Sequence, residues 1–333
     1  MLYRFFTTIP VVYDNIVSYL DFDSLINFYN VLHDSKLLTK CHEKYKDKVN
    51  FIMLDMKDVE KVNTLLKIPL LNLDITDSIG YTPLTRACVL GHYEVVEKII
   101  GRTDEANLQN KYGYSALMKA CLLGHYKIVE LLLQQKGIDI NLQSFSGYTA
   151  LMFACLLGHY KIVELLLRQE GIYVNAQNED GYTALMEACY YYNVETVKLL
   201  LQKEGLDVNL QNKDGYTALM EACYYGNYEI VKVILGQEGM DVNMKNKNGN
   251  TALMIAGKKT IKQMLKLRIQ REGTNVKSKD EVTALMQVCK KIYDETVELF
   301  LQQGATDVEN KDTVIMQTCK KIYDETVEML MNK

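Results

Sequence analysis

Apolar positions along this chain of 333 residues fall in two short stripes that alternate many times. In one stretch Ala184, Leu185, Ala188 and Cys189 recur at i, i+1, i+4 and i+5, a narrow line of mostly small residues. That spacing predicts a short helix packed close to its neighbours. Val197, Leu200 and Leu201 then line a second helix. Gly181 supplies backbone freedom at the turn before the first helix, and Thr183 is placed to cap it. Gly158 or Gly226 ends the same helix in sister stretches, and Gly205 breaks the second helix before an extended Asp207-Val208-Asn209 segment. The predicted unit is turn, helix, helix, loop.

The cysteines give its period. Cys88, Cys121, Cys155, Cys189, Cys223, Cys289 and Cys319 are separated by 33, 34, 34, 34, 66 and 30 residues, so one copy lacks its cysteine. Copies align from Ser78, Lys111, Phe145, Glu179, Lys213, Lys247, Lys279 and Lys311. No such unit buries its apolar stripe alone, so the copies must stack into an all-α solenoid. The ends are atypical, as capping requires. Phe51 to Thr76 reads as a degenerate copy whose outer helix carries Val59, Val62, Leu65 and Leu66, and the last copy stops within its second helix. Cys-Lys-Lys-Ile-Tyr-Asp-Glu-Thr-Val-Glu occurs word for word from Cys289 and from Cys319, a literal internal duplication.

The repeat resembles the ankyrin family, whose turn–helix–helix unit carries Thr-Pro-Leu-His-x-Ala. Thr82-Pro83-Leu84 keeps most of that motif, and later copies read Thr-Ala-Leu-Met, with Met for the usual His. The resemblance runs from about Ser78 to Lys333. It implies about eight ankyrin repeats over 78–333, a degenerate capping repeat over 44–77, and a protein–protein interaction module.

Composition narrows the function further. Hydrophobic residues make up 48% and charged residues 24%, with a net charge of -4. That excludes a strongly basic nucleic-acid binder and an acidic disordered chain. No run approaches the ~18 apolar residues of a membrane span. The first twelve residues make a poor signal peptide, so a cytoplasmic monomer is the expectation, with no nucleic-acid or membrane partner.

Catalytic and metal chemistry finds no support. The cysteine ladder invites a zinc or redox reading, yet stacked helices lie ~8–10 Å apart, too far for disulfides or a shared metal. Buried core thiols are expected instead. His92, His125 and His159 each follow a helix-ending glycine and read as turn braces. Ala256-Gly257-Lys258-Lys259-Thr260 hints at a phosphate loop, but Ala252 stands where its first glycine belongs and Lys259 where its hydroxyl belongs. No enzyme activity and no cofactor are expected.

Residues 1–43 lack the repeat. Pro10 suits the first turn of a helix, Val12, Ile16, Tyr19 and Leu20 share one face, and Leu25, Phe28 and Leu32 mark a second helix. Ile9, Pro10, Ile16, Leu20, Leu25 and Val31 resemble an F-box, with Ile9 in place of the usual Leu and no Trp anywhere in the chain. That resemblance implies docking on a Skp-type adaptor of a cullin ubiquitin ligase, in the manner of F-box/ankyrin proteins of large DNA viruses. The competing reading is a helical pair that only caps the solenoid, leaving a plain ankyrin scaffold.

Two columns of residues are candidates for holding a target. The pair after each cysteine slot changes in blocks: Val89-Leu90, Leu122-Leu123, Leu156-Leu157, Tyr190-Tyr191, Tyr224-Tyr225, Lys258-Lys259, Lys290-Lys291 and Lys320-Lys321. The family resemblance puts this spot on the concave face. The second column is the turn-tip tyrosines Tyr81, Tyr114, Tyr148, Tyr182 and Tyr216. Solvent-facing leucines and tyrosines in a contiguous strip mark an interaction site, and tyrosine is a favoured anchor. The competing reading is that recent duplication, seen at Cys289 to Glu298, copied the pairs with no binding role. Tyr190, Tyr191, Tyr224 and Tyr225 form the expected centre, with no packing role. From Lys247 to Lys279, nine basic residues stand against Glu272 alone, a belt suited to an acidic partner unless neighbouring acids neutralise it.

Overall fold

A computed structural model describes residues 46–68, 71–103 and 106–257, with isolated positions at 21, 23, 24, 298 and 302. The chain divides into two compact units, Met1–Ser146 and Gly147–Lys333. Among the described residues there are helices and turns and no strands.

In the first unit the helices are α1 (Lys46–Asp55), α2 (Val59–Leu65), α3 (Pro83–Leu90), α4 (Tyr93–Ile100), α5 (Ala116–Leu122) and α6 (Tyr126–Leu133). In the second they are α7 (Ala150–Leu156), α8 (Tyr160–Leu167), α9 (Ala184–Tyr190), α10 (Val194–Leu201), α11 (Ala218–Tyr225) and α12 (Tyr228–Leu235). Residues 252–257 begin a further helix. Inner helices stack on inner ones and outer on outer: α3 on α5 and α4 on α6 in the first unit, α7 on α9 on α11 and α8 on α10 on α12 in the second. α1 lies against α3 and α2 against α4, so this pair occupies the place of a repeat, with Val49, Met53, Val62 and Leu65 fully buried.

Each inner helix starts for the reason its sequence gives. Thr82, Ser115, Thr149, Thr183 and Thr217 each accept a hydrogen bond from the amide three residues on, at 3.2–3.3 Å. Ala184, Leu185, Ala188 and Cys189 are buried, as are their counterparts on α3, α5, α7 and α11, and the small residues let the helices approach. Met118, Met152, Met186 and Met220 sit where the family motif has His, each about 1% exposed, filling that slot without a polar group to satisfy. Cys88, Cys121, Cys155, Cys189 and Cys223 are free and buried, and burial pushes their thiols up, away from reactive thiolate.

The loops are tied forward along the array. Gln109 donates both to Gly113 O (2.5 Å) and to Gln143 O (2.7 Å) in the next repeat. Gln177 and Gln211 repeat the arrangement, reaching Gln211 O and Lys245 O at 2.9 Å. At five tips Asp77, Asn110, Asn178, Asn212 or Asn246 folds the turn, whereas the tip before Tyr148 has Ser144 there. Asn178 Oδ1 accepts from the amides of Asp180 (3.0 Å) and Tyr182 (2.8 Å). Gly181 is obligatory there. Its φ is +82°, and a Cβ would lie 2.8 Å from the Lys213 backbone nitrogen of the next tip.

Candidate functional site

The side chains just beyond each cysteine split into two kinds. In the first unit Leu122 is half-buried and Leu123 exposed. In the second, Leu156 is half-buried and Leu157 exposed, and Tyr191 and Tyr224 are each 47% exposed. Tyr190 and Tyr225 are half-buried, with ring centroids 4.5 Å apart, and Tyr190 also lies 4.5 Å from Tyr191. This corrects the expectation that all four tyrosines lack a packing role: Tyr190 and Tyr225 interlock between successive repeats, while Tyr191 and Tyr224 face solvent.

Two of the turn-tip tyrosines meet the Tyr190–Tyr191 pair. In the second unit Tyr148 and Tyr182 from two successive tips, Leu156, Asp180, Tyr190, Tyr191 and Glu187 line a cleft of about 220 Å³, partly open to solvent. Glu187 projects from α9 and is 5% exposed. The Tyr148 hydroxyl donates to its carboxylate, yet burial dominates and raises its pKa above the ordinary carboxylate range. One repeat on, Tyr182 donates to Glu221, which is 3% exposed and also receives the Asn212 amide at 3.4 Å. Burial again leads, with the Glu187 and Asp214 charges behind it, and lifts Glu221 to about 7. Tyr216 and Tyr224 meet edge to face at 6.3 Å.

The first unit fills the equivalent positions with cations. Lys119, which occupies on α5 the place of Glu187 on α9, sets its Nζ 3.7 Å from the Tyr114 ring centroid and 5.9 Å from that of Tyr81. Arg86, one repeat earlier, lies 5.2 Å from the Tyr81 centroid and donates to Asp77 Oδ2 from Nε (3.0 Å) and Nη2 (2.5 Å).

A family model described as "Ankyrin repeats (3 copies)" matches residues 51–144, 100–178, 137–212 and 185–280, well over half the chain. The chain belongs to the ankyrin repeat family. Two solved structures show the same fold. The ankyrin repeat domain of Bcl-3, a member of the IkappaB protein family, is 25% identical with a TM-score of 0.55, covering 62% of this chain and 92% of its own. The ankyrin repeat protein EF0377 is 29% identical with a TM-score of 0.50, covering 55% and 94%. No curated protein sequence matches the chain. Ankyrin repeats are protein–protein interaction modules, typically scaffolds rather than enzymes, and this array is one.

Within the ankyrin frame, sequence reasoning missed three residues of the cleft region. Glu187 and Glu221 lie on the inner helices, where a carboxylate in a stripe of small residues passes for a solvent-facing one. The signal that could have found them is the variation of this one position across copies: Arg86, Lys119, Phe153, Glu187, Glu221 and Ile255. The third is Tyr192, which stands where sister copies have Gly91, Gly124, Gly158 and Gly226. It takes the same left-handed backbone, φ +63° against +69° to +76° for those glycines, a strained choice for a bulky residue. Its hydroxyl donates to the Tyr225 carbonyl, and the residue is 52% exposed.

The histidine braces take a definite form. His125 precedes α6 and its ring nitrogen lies 3.4 Å from Val89 O in the preceding repeat. Asn193 holds the same place before α10 and donates to Cys155 O at 2.7 Å. Lys258, Lys259, Lys290, Lys291 and the bulk of the basic belt lie outside the described residues, as do Ile9, Pro10, Ile16, Leu20, Leu25 and Val31. No group of three His, Cys, Asp or Glu side chains among the described residues could hold a metal. No described helix is long and apolar enough to cross a membrane.

Proposed function

We propose that the chain is a target-holding adaptor: the ankyrin array grips a protein on its tyrosine-bearing face, and residues 1–43 recruit a Skp-type adaptor of a cullin ubiquitin ligase. The observation that carries the first half is the exposed aromatic surface of the second unit, where Tyr191, Tyr192 and Tyr224 stand about half exposed over packed Tyr190 and Tyr225. Solvated tyrosines held by a packed layer are pre-organised for contact, because little rotamer freedom remains to be lost on binding. The second half draws on the F-box-like spacing of Ile9, Pro10, Ile16, Leu20, Leu25 and Val31. The competing reading, a scaffold or partner-blocking protein with no ubiquitin role, uses the same face and dispenses with the N-terminal segment.

Co-expression of the full chain with a Skp-type adaptor separates the two. The adaptor reading expects co-purification, lost on Leu20→Asp, which puts a charge on the apolar face. A wild-type chain that retains no Skp-type adaptor leaves the scaffold reading standing.

A further inference from the structure

We propose that the cleft lined by Tyr148, Tyr182, Glu187, Tyr190 and Tyr191 receives a cationic side chain, arginine or lysine, of the protein held on this face. The inference names the chemistry of the partner and rests on the preceding reading that this face holds a target.

The molecule contains its own precedent. In the first unit the tips Tyr81 and Tyr114 share a cation, Lys119, supplied from within the repeat. In the second unit the corresponding tips are Tyr148 and Tyr182, and the residue between them is Glu187. The tip tyrosines are kept, with one face of Tyr148 stacked on Phe153 at 5.1 Å, and the internal cation is exchanged for a carboxylate. Rings attract a cation through their negative faces, and a carboxylate behind them supplies the counter-charge.

The cleft has the matching electrostatics. None of the side chains lining it is basic, and Asp180 adds a second carboxylate to Glu187. A buried carboxylate pays its desolvation without a full counter-charge here, since Tyr148 offers only a neutral hydroxyl. An incoming guanidinium or ammonium restores that balance, and a neutral or acidic side chain does not. The strained backbone at Tyr192 adds another tyrosine beside the Tyr190–Tyr191 pair, at a position where glycine would fold more easily.

Fluorescence anisotropy of the full chain at low salt tests this with fluorescein-labelled Gly-Ser-Gly-Xaa-Gly-Ser-Gly amides in which Xaa is arginine, lysine or citrulline. The arginine or the lysine peptide should bind at least about tenfold more tightly than the isosteric neutral citrulline peptide. Which of the two binds more tightly decides between guanidinium and ammonium. Glu187→Gln should cut that affinity by about tenfold, and Glu187→Lys, which recreates the first unit's internal cation, should abolish it. Tyr191→Ala, at an exposed ring, should lower it about fivefold with an unchanged circular dichroism melt.

Equal binding of citrulline, or no binding of any peptide at about 5 mM, overturns the proposal. So does unchanged affinity in a folded Glu187→Gln chain; should that chain not fold, unchanged affinity in Tyr191→Ala overturns it. A purified target that still binds through Tyr191 and Tyr224 while these peptides fail would sink the cation site and leave the target-holding reading intact.

Discussion

The two units present the same tyrosine tips and give them opposite company. In the first, Lys119 and Arg86 lie against the rings of Tyr81 and Tyr114; in the second, Glu187 and Glu221 accept hydrogen bonds from Tyr148 and Tyr182. The backbone is the same in both, with capped inner helices and tips folded by an Asn or Asp side chain. One inner-helix position therefore sets the chemistry of each stretch without disturbing the stack. The first unit satisfies its tyrosines internally, whereas the second buries carboxylates beside them with no cation of its own at that position.

The largest expected effect sharpens the division between packed and solvated tyrosines. Tyr190→Ser with Tyr225→Ser removes an interlocked ring pair and should cost about 3 kcal/mol in urea denaturation. Tyr191→Ser with Tyr224→Ser should cost under about 1 kcal/mol. Equal losses from both double variants would erase the distinction.

Next comes a pH test of the second unit. The Glu221 carboxyl is raised from the usual 4.5 to about 7, so the folded chain holds this proton more tightly than the unfolded chain does. The Glu221 contribution to stability should be full below pH 4.5, fall as pH rises from there to about 7, and then level. The groups facing Glu221 are the Tyr182 hydroxyl, the Asn212 amide and the Glu187 and Asp214 carboxylates. Glu221→Gln should flatten the fall by on the order of 2 kcal/mol, and an identical pH profile for both proteins would refute the assignment. Glu187 contributes in the same direction, so some slope should remain in the variant.

In the first unit, Lys119→Glu imitates the second and should lower stability by about 1–2 kcal/mol, because a carboxylate faces the negative faces of two rings. A neutral result would show that the cation–ring contacts carry little. Smallest, and of opposite sign, is Thr196→Val. Thr196 is 1% exposed, its hydroxyl has no hydrogen-bond partner, and sister copies place Ile128, Ile162 and Ile230 there. The change should raise the melting temperature by about 1 kcal/mol's worth, measured by calorimetry.

Much of this architecture could be read from residue spacing. The cysteine period located the described repeats from Cys88 to Cys223, and Thr183 and its counterparts announced helix starts, because caps and small-residue stripes obey local geometry that leaves a mark in each of these copies. The tips were legible for the same reason, through glycines that must take positive φ. Glu187 and Glu221 were not, since a glutamate's burial depends on what the neighbouring repeat places over it, here Tyr148 and Tyr182. The split between Tyr190 and Tyr191 is likewise invisible in a run of identical letters. It arises only when α9 packs against α11 and Tyr225 arrives beside one ring of the pair.

The glutamine ties between tips carry a mechanical consequence. Within each unit, every tie reaches only the next repeat, from Gln109 to Gln143, from Gln177 to Gln211 and from Gln211 to Lys245. The described repeats of a unit, pulled from their two ends, therefore meet clasps of one kind, each spanning a single repeat. Force should rise and drop as each clasp opens, each release freeing the 34 residues that it spans. That corresponds to steps of roughly 110–120 Å of contour length. Within a unit the described repeats are built to give way in even increments, one clasp at a time.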